Sequence, residues 1–80
     1  MYGHFFYQHL GEIIFKIREK RGLTQERLSL LSDINRTYLF RIEKGLANPS
    51  VKILNKICRV LKIKICNLLK GLWNMKKITN

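Results

Sequence analysis

Residues 22–49 decide the fold of this 80-residue chain, and they read GLTQERLSLLSDINRTYLFRIEKGLANP. Thr24 stands where its hydroxyl can accept hydrogen bonds from the unpaired N–H groups at the start of a helix. Behind it, Leu28 and Leu31 are three residues apart and are expected to face inward. Ser29 is small at the point where a second helix must approach closely. The segment therefore predicts a short helix that packs against a second one.

A sharp turn is expected at Asp33, because Asp tolerates left-handed backbone better than most residues. Asn35 is a favourable N-cap for the helix that follows, and Gly45 fits the C′ position at its end. The side of this helix that would face the core carries Ile34, Leu39 and Ile42. Its outer face carries side chains that can reach base edges and phosphates, namely Arg36, Thr37, Phe40, Arg41 and Lys44.

This two-helix segment resembles the helix-turn-helix of the lambda-repressor-like family (Cro/phage repressor, XRE type), and the similarity runs over residues 10–69. The positions that agree with the family at fixed spacing include Gly11, Ile14, Arg18, Gln25, Glu43, Gly45, Asn48, Pro49 and Ser50. Residues 35–38 and 41–45 are also similar to the small controller proteins of restriction–modification systems, a weaker match. The resemblance implies an all-α, five-helix DNA-binding domain with the helix-turn-helix at helices 2 and 3.

Three residues depart from the family pattern. Asp33 stands where a turn glycine is usual, Phe15 where an arginine is common, and Phe40 at a position often filled by serine. None of them breaks the fold pattern. Phe40 makes the base preference of the site harder to infer.

The resemblance implies that the protein contacts both the phosphates and the bases of DNA. Gln25 and the backbone at the start of helix 2 would hold a phosphate, and Asn35 belongs to the same DNA-binding set. Tyr38 and Lys44 would contact backbone phosphates, which position the helix and carry little sequence information. The alternative for any one of these side chains is a solvated surface role.

Base reading is implied for the middle of the outer face. Arg36, Thr37 and Arg41 would enter the major groove, where Arg pairs with the O6 and N7 acceptors of guanine. Thr can donate to a base or touch a thymine methyl, and Phe40 can pack on thymine methyls. Sequence-specific binding of double-stranded DNA is the expected result.

A structural ion pair is expected between Arg18 of helix 1 and Glu43 of helix 3, since both stand at positions that bridge these helices in the family. A carboxylate beside DNA would otherwise repel phosphate. The sequence therefore predicts that Glu43 is buried or half-buried against Arg18.

The charge of the chain is strongly positive, at +11, and unevenly distributed. All five acids precede residue 46, whereas eight Lys or Arg residues and no acid follow it. Such a surplus attracts a polyanion, and nucleic acid is the natural partner. The alternatives are a generically basic domain and a lysine-rich source genome.

Length and composition predict one domain over residues 1–80, with a core over about 7–73, because 80 residues with 46% hydrophobic content suffice for one small core. No signal peptide and no apolar run of about 20 residues is visible, so a cytoplasmic protein without a membrane partner is expected. Cys58 and Cys66 lack metal-ligand spacing to each other or to histidine, so no metal site is predicted. Neither a cofactor nor a small-molecule ligand is indicated.

Helix 1 is expected from about residue 7 to Arg21, and no secondary structure is expected in the first five residues. Helix 5 is expected to begin near Ile65. Helix 4 is expected from Ser50 to Leu61. Its inward side would carry Val51, Leu54, Ile57, Cys58 and Leu61, and its opposite side Lys52, Asn55, Lys56 and Arg59. The last residues, 75–80, are expected to be loose.

A dimer interface is expected on helix 5, which is more hydrophobic than a solvated terminal helix needs to be. The candidate residues are Ile65, Leu68, Leu69, Leu72 and Trp73. The family resemblance implies a twofold-symmetric homodimer formed through this region. The alternative, that these residues close the monomer core, is about as well supported for Ile65 and Leu68.

The function predicted is a sequence-specific transcriptional regulator that binds two half-sites of double-stranded DNA as a homodimer, with restriction–modification genes as one candidate target. The sequence shows no nucleophile with a base, phosphate loop or paired carboxylates, so no enzyme is predicted. Two alternatives use other partners. An antitoxin or protein-interaction module would use the same fold, and a membrane-active amphipathic segment is suggested by residues 50–70.

Overall fold

A computed structural model describes the backbone of residues 2–71 and the side chains of residues 5–71. The elements in chain order are α1 (Tyr2–Lys20), α2 (Gln25–Ser32), α3 (Arg36–Glu43) and α4 (Val51–Leu61), followed by α5 at residues 65–71. This five-helix, all-α architecture confirms the predicted fold class.

The two helices of the central motif begin and end as their sequence dictates. The Thr24 side chain accepts a hydrogen bond from the Arg27 N–H, and Asn35 accepts one from the Tyr38 N–H. Between them Asp33 takes the left-handed conformation, with φ 58° and ψ 50°. L-residues rarely adopt this region, but Asp tolerates it better than most, and the sharp turn stands at the residue where the sequence predicts it.

The end of α3 is closed by a Schellman arrangement. The Gly45 N–H donates to the Ile42 carbonyl at 3.1 Å, and the Leu46 N–H donates to the Arg41 carbonyl at 2.8 Å. Gly45 has φ +76°, and a Cβ at this position would lie 2.7 Å from the Cα of Gln8. Glycine is therefore needed here for its backbone conformation and for close packing against α1.

Helix α1 begins at Tyr2, earlier than the predicted start near residue 7. The prediction was wrong because it relied on local signals, which are weak in this aromatic segment. The added residues 2–6 continue the helix ahead of Tyr7, which packs against the core, and of Gln8, which lies under Gly45. The Phe6 and Tyr7 rings also meet edge to face, with centroids 5.3 Å apart.

The core lies where α1 to α5 converge and is formed by Leu10, Ile14, Leu28, Ile34, Leu39, Ile42, Leu54, Ile57, Cys58, Leu61 and Leu68. Two residues expected there are outside it. Leu31 is 48% exposed and Val51 is 64% exposed. In α2 the inward positions are Leu28, Ser29 and Ser32, and Val51 is the first residue of α4, where one side of the turn meets solvent.

Helix α4 is anchored to the rest of the domain at its C-terminal end. The Arg21 Nε donates to the Leu61 carbonyl at 2.9 Å, placing a positive charge at the negative end of the helix. Burial raises the pKa of the Cys58 thiol, so this cysteine acts as a small neutral core residue. Within residues 2–71, no helix combines the length and apolar character that crossing a membrane requires.

Candidate nucleic-acid interface

The outer face of α3 is exposed in the part of the chain that the structure describes. Its inner residues Leu39 and Ile42 are 0% and 1% exposed, so the helix is held rigidly against the core. Five of the side chains predicted to meet DNA are on the opposite side and are exposed: Arg36, Thr37, Phe40, Arg41 and Lys44. One short, firmly packed helix therefore presents a row of polar and cationic groups.

Behind this face, α1 and α3 are joined by the ion pair expected from the sequence. The Arg18 Nε donates to Glu43 Oε2 at 2.7 Å, and Arg18 Nη2 donates to Oε1 at 3.1 Å. The two side chains are only 7% and 3% exposed. This two-pronged geometry is the strong form of an arginine–carboxylate interaction, and it fixes the C-terminal end of α3 relative to α1.

The ion pair is part of a larger polar network. Arg18 Nη1 donates to the Leu23 carbonyl at 2.7 Å, which ties the chain ahead of α2 to α1. The guanidinium carbon of Arg18 also lies 5.2 Å from the centroid of the Phe15 ring. Phe15, which departs from the family pattern, thus makes a cation–π contact with the arginine of the pair.

Gln25 joins this network, a role that the sequence did not indicate. Its Nε2 donates to Glu43 Oε1 at 2.9 Å. Glu43 consequently accepts three hydrogen bonds, two from Arg18 and one from Gln25. The bond fixes the amide of Gln25 at the first position of α2, and one N–H of the same group is still available for a phosphate.

Two side chains of the outer face are oriented by contacts of their own. Arg41 Nη2 donates to the Leu46 carbonyl at 2.9 Å, so Arg41 holds the loop that follows α3. The Lys44 Nζ lies 5.6 Å from the centroid of the Phe40 ring. These contacts place both cations at the C-terminal half of α3, and they leave most of the donors of Arg41 unused.

Two further residues predicted to contact DNA also make contacts within the domain. Asn35 is exposed, but its side-chain oxygen is occupied by capping α3, so its NH₂ group is the part that can meet DNA. Tyr38 is half-buried and packs against the core. Arg36 and Thr37 are exposed.

The residues predicted for the dimer interface separate into three groups. Leu68 is 2% exposed and belongs to the monomer core, which is the alternative that the sequence left open for it. It is buried because α5 packs back on the domain. Ile65 is half-buried against the same core, whereas Leu69 is 43% exposed. Leu72 and Trp73 lie outside the described residues, as does the predicted loose segment 75–80.

Comparison with known proteins assigns this chain to a family. A sequence model described as helix-turn-helix matches residues 14–68, which cover α2, α3 and α4 completely. This chain belongs to the helix-turn-helix family of the XRE, or Cro/lambda-repressor, type. The resemblance inferred from the sequence is thereby confirmed.

Two curated relatives illustrate the match. The chain is 33% identical over 60 residues to the HTH-type transcriptional regulator SlrR of Bacillus subtilis, a match that covers 74% of this chain and 40% of SlrR. It is 35% identical over 60 residues to the control protein C.BamHI of Bacillus amyloliquefaciens, which covers 74% of each. The chain thus spans less than half of SlrR but most of the smaller control protein.

A solved structure extends the comparison to nearly the whole chain. The restriction–modification controller protein C.Esp1396I, solved as a tetramer in complex with its natural 35 base-pair operator, matches with a TM-score of 0.78 and 32% identity. The match covers 95% of this chain and 97% of the controller. This helix-turn-helix protein is a DNA-binding transcriptional regulator, and its family is non-enzymatic, as the sequence predicted.

Proposed function

We propose that this helix-turn-helix protein is a homodimer that reads two operator half-sites with α3, and that it controls genes of a restriction–modification system. The observation that carries the proposal is the outer face of α3, an exposed row of cations on a helix whose inner side is buried. The similarity to a controller solved on its operator supports this reading of the face. Such a role belongs in the cytoplasm, where the DNA is accessible.

The proposed roles follow from position. Arg36 and Thr37 stand exposed in the first turn of α3, and they read base edges. Arg41 reads with the donors that the Leu46 carbonyl does not occupy. Phe40 offers an apolar surface to thymine methyls, and Lys44 holds a phosphate beside it.

Phosphate contacts at the start of the motif complete the interface. Gln25 is oriented by Glu43, so its second N–H can donate to a phosphate without a loss of side-chain freedom on binding. The Asn35 NH₂ group and the half-buried Tyr38 are proposed to bind phosphates of the same DNA strand as Gln25. These contacts set the register of α3 in the groove.

Three alanine variants, compared on an operator found by in vitro selection, distinguish base-specific contacts from phosphate contacts. Arg36→Ala and Arg41→Ala should each cost about 1–3 kcal/mol on the operator and much less on scrambled DNA. Lys44→Ala should weaken binding to both DNAs similarly and lower the salt slope by about one unit. The measurement is a salt titration of each variant by fluorescence anisotropy.

The control is the ratio of operator to scrambled affinity for the unchanged protein at the same salt concentration. If Arg36→Ala and Arg41→Ala lose affinity equally on both DNAs, α3 is an electrostatic anchor and does not read sequence. If selection enriches no motif at all, the specific function is wrong, and a protein-interaction role such as that of an antitoxin becomes the better interpretation.

Dimerisation is proposed to use the exposed side of α5 and the residues after it, with Leu69, Leu72 and Trp73 in the interface. Leu69→Lys or Trp73→Lys should raise the dimer dissociation constant at least about tenfold and weaken operator binding in parallel. Sedimentation equilibrium measures the first effect. The matched control is Leu31→Lys. Leu31 is 48% exposed, close to the 43% of Leu69, but it lies on α2 and not on α5. An unchanged dimer in both the Leu69 and the Trp73 variant would place the interface elsewhere.

The restriction–modification target has a separate test. The selected motif should occur upstream of a neighbouring methyltransferase or endonuclease gene, and footprinting on that DNA should show protection of two half-sites. A motif found only beside phage genes would instead indicate a phage repressor.

A further inference from the structure

A row of cations runs along the solvent side of α4. Lys52, Lys56 and Arg59 follow one another at i, i+4 and i+7, opposite the buried side of the helix. Lys52 and Arg59 are exposed, and Lys56 is half-buried. From Lys52 to Arg59 the helix rises by about 10 Å. We call these three residues the α4 cation row.

No acid balances this row. Every acid of the chain lies at or before residue 43, and the salt bridges found within the described residues all join partners in residues 9–43. Like charges three and four residues apart on a helix destabilise it. Helix α1 differs, because its exposed Lys16 and Lys20 alternate with Glu12 and Glu19. The α4 cation row thus carries an electrostatic cost that an anionic partner would remove.

The composition of the row favours a phosphate backbone over an acidic protein. Protein interfaces are enriched in aromatic residues and depleted in lysine, and the side chain interleaved with this row is the polar Asn55. Phosphates are the usual partners of Lys and Arg in DNA complexes. A duplex carries a charge about every 1.7 Å along its axis, so a row about 10 Å long can face several phosphates.

The row is also connected to the reading helix. Only residues 44–50 separate α3 from α4, and Arg41 of α3 donates to the carbonyl of Leu46 within this connection. The position of α4 is therefore fixed relative to the groove that α3 enters. We infer that the α4 cation row binds phosphates of the same duplex, in the DNA that flanks the half-site. This inference rests on the proposed base reading by α3.

The experiment compares two double variants that remove the same charge. Lys56→Gln/Arg59→Gln removes two cations of the row, and Lys16→Gln/Lys20→Gln removes two exposed cations of α1. Each is titrated with salt on two operators, one trimmed to the half-sites and one with about ten flanking base pairs on each side. Lys56→Arg/Arg59→Lys preserves the charge, and circular dichroism melting establishes that each variant is folded.

On the flanked operator, the row variant should lower the salt slope by about two units, or about 0.9 per lost contact. The α1 variant and the charge-preserving variant should keep the slope of the unchanged protein, and on the trimmed operator all four proteins should agree. Equal slopes on the flanked operator would overturn the inference and point to an acidic protein partner. A lower slope on both operators would overturn the assignment of the contact to flanking DNA. The same holds if the slope is lower only when a second duplex is added.

These failures are distinct from a failure of the proposed function. If base reading by α3 is wrong, the unchanged protein shows no preference for the operator over scrambled DNA. If only the inference is wrong, that preference is intact and the row variant binds both operators with the slope of the unchanged protein.

Discussion

Replacing Gly11 by alanine should destabilise the protein by about 3 kcal/mol and lower its melting temperature by roughly 10–20 °C. Gly11 lies in α1 where this helix crosses the end of α3. A Cβ there would lie 2.4 Å from the Ile42 carbonyl oxygen and 2.5 Å from that of Glu43. Both atoms belong to the backbone, so no side-chain rotation can relieve the overlap, and α1 must move away from α3.

The movement would also reach the polar network behind the interface. Glu43 supplies both the carbonyl oxygen that Gly11 contacts and the carboxylate that Arg18 binds. A displaced α3 therefore loses good geometry in the ion pair, and the loss exceeds the gain of about 1 kcal/mol that alanine brings to a helix. We expect operator affinity to fall together with the melting temperature.

The matched control is Gly71→Ala. Gly71 is also helical, but among the residues that the structure describes a Cβ there would meet the Ile13 side chain alone, at 3.6 Å, an ordinary contact. This variant should melt at or slightly above the temperature of the unchanged protein, measured by circular dichroism. If both glycine variants melt alike, close approach of α1 to α3 is not what makes Gly11 necessary.

The parts of the fold that the sequence predicted well depend on local chemistry. Thr24, Asn35 and Ser50 cap their helices through bonds to N–H groups three residues later. Asp33 takes a left-handed turn at the predicted place. Each depends on a few neighbouring residues, so residue type and spacing were sufficient. The ion pair between Arg18 and Glu43 is distant in sequence and was inferred from the family resemblance.

The errors concern packing between elements. Leu28 and Leu31 fit an inward stripe, but α2 has only eight residues, and its angle to the core buries Ser32 instead of Leu31. Hydrophobicity alone left Leu68 open between an interface and the monomer core, and α5 folds back and buries it in the core. Sequence period does not fix the angle of a short helix or the direction in which a terminal helix packs.

In the candidate site, too, some features could be predicted from the sequence and others depend on how the elements pack. Exposure of the α3 outer face follows from its helical period and could be predicted. The bonds from Gln25 to Glu43 and from Arg41 to Leu46 could not, since they depend on where the side-chain ends meet after α2 and the loop have packed. A glutamine also suits several roles equally well by its chemistry.

The second large effect is expected at the ion pair, where Glu43→Gln should cost about 3–5 kcal/mol. Arg18 would keep its charge in a site where its side chain is only 7% exposed, and an amide cannot accept at both positions. One of the donors now bound to Glu43 would face an NH₂ group. Thermal and urea unfolding measure the loss, and a parallel fall in operator affinity is expected because Gln25 loses its orienting partner.

Glu19→Gln provides the matched control, because Glu19 also lies near Arg18 but in water. Its carboxylate is 3.9 Å from Arg18 Nη1 and its side chain is 60% exposed, so this variant should cost at most about 1 kcal/mol. A double variant, Arg18→Met/Glu43→Leu, separates pairing from burial. If unpaired charge causes the loss, the double variant will be more stable than Glu43→Gln, since it leaves no buried ion without a partner. A double variant as unstable as the single one would instead show that the pair is needed for the shape of the α1–α3 contact.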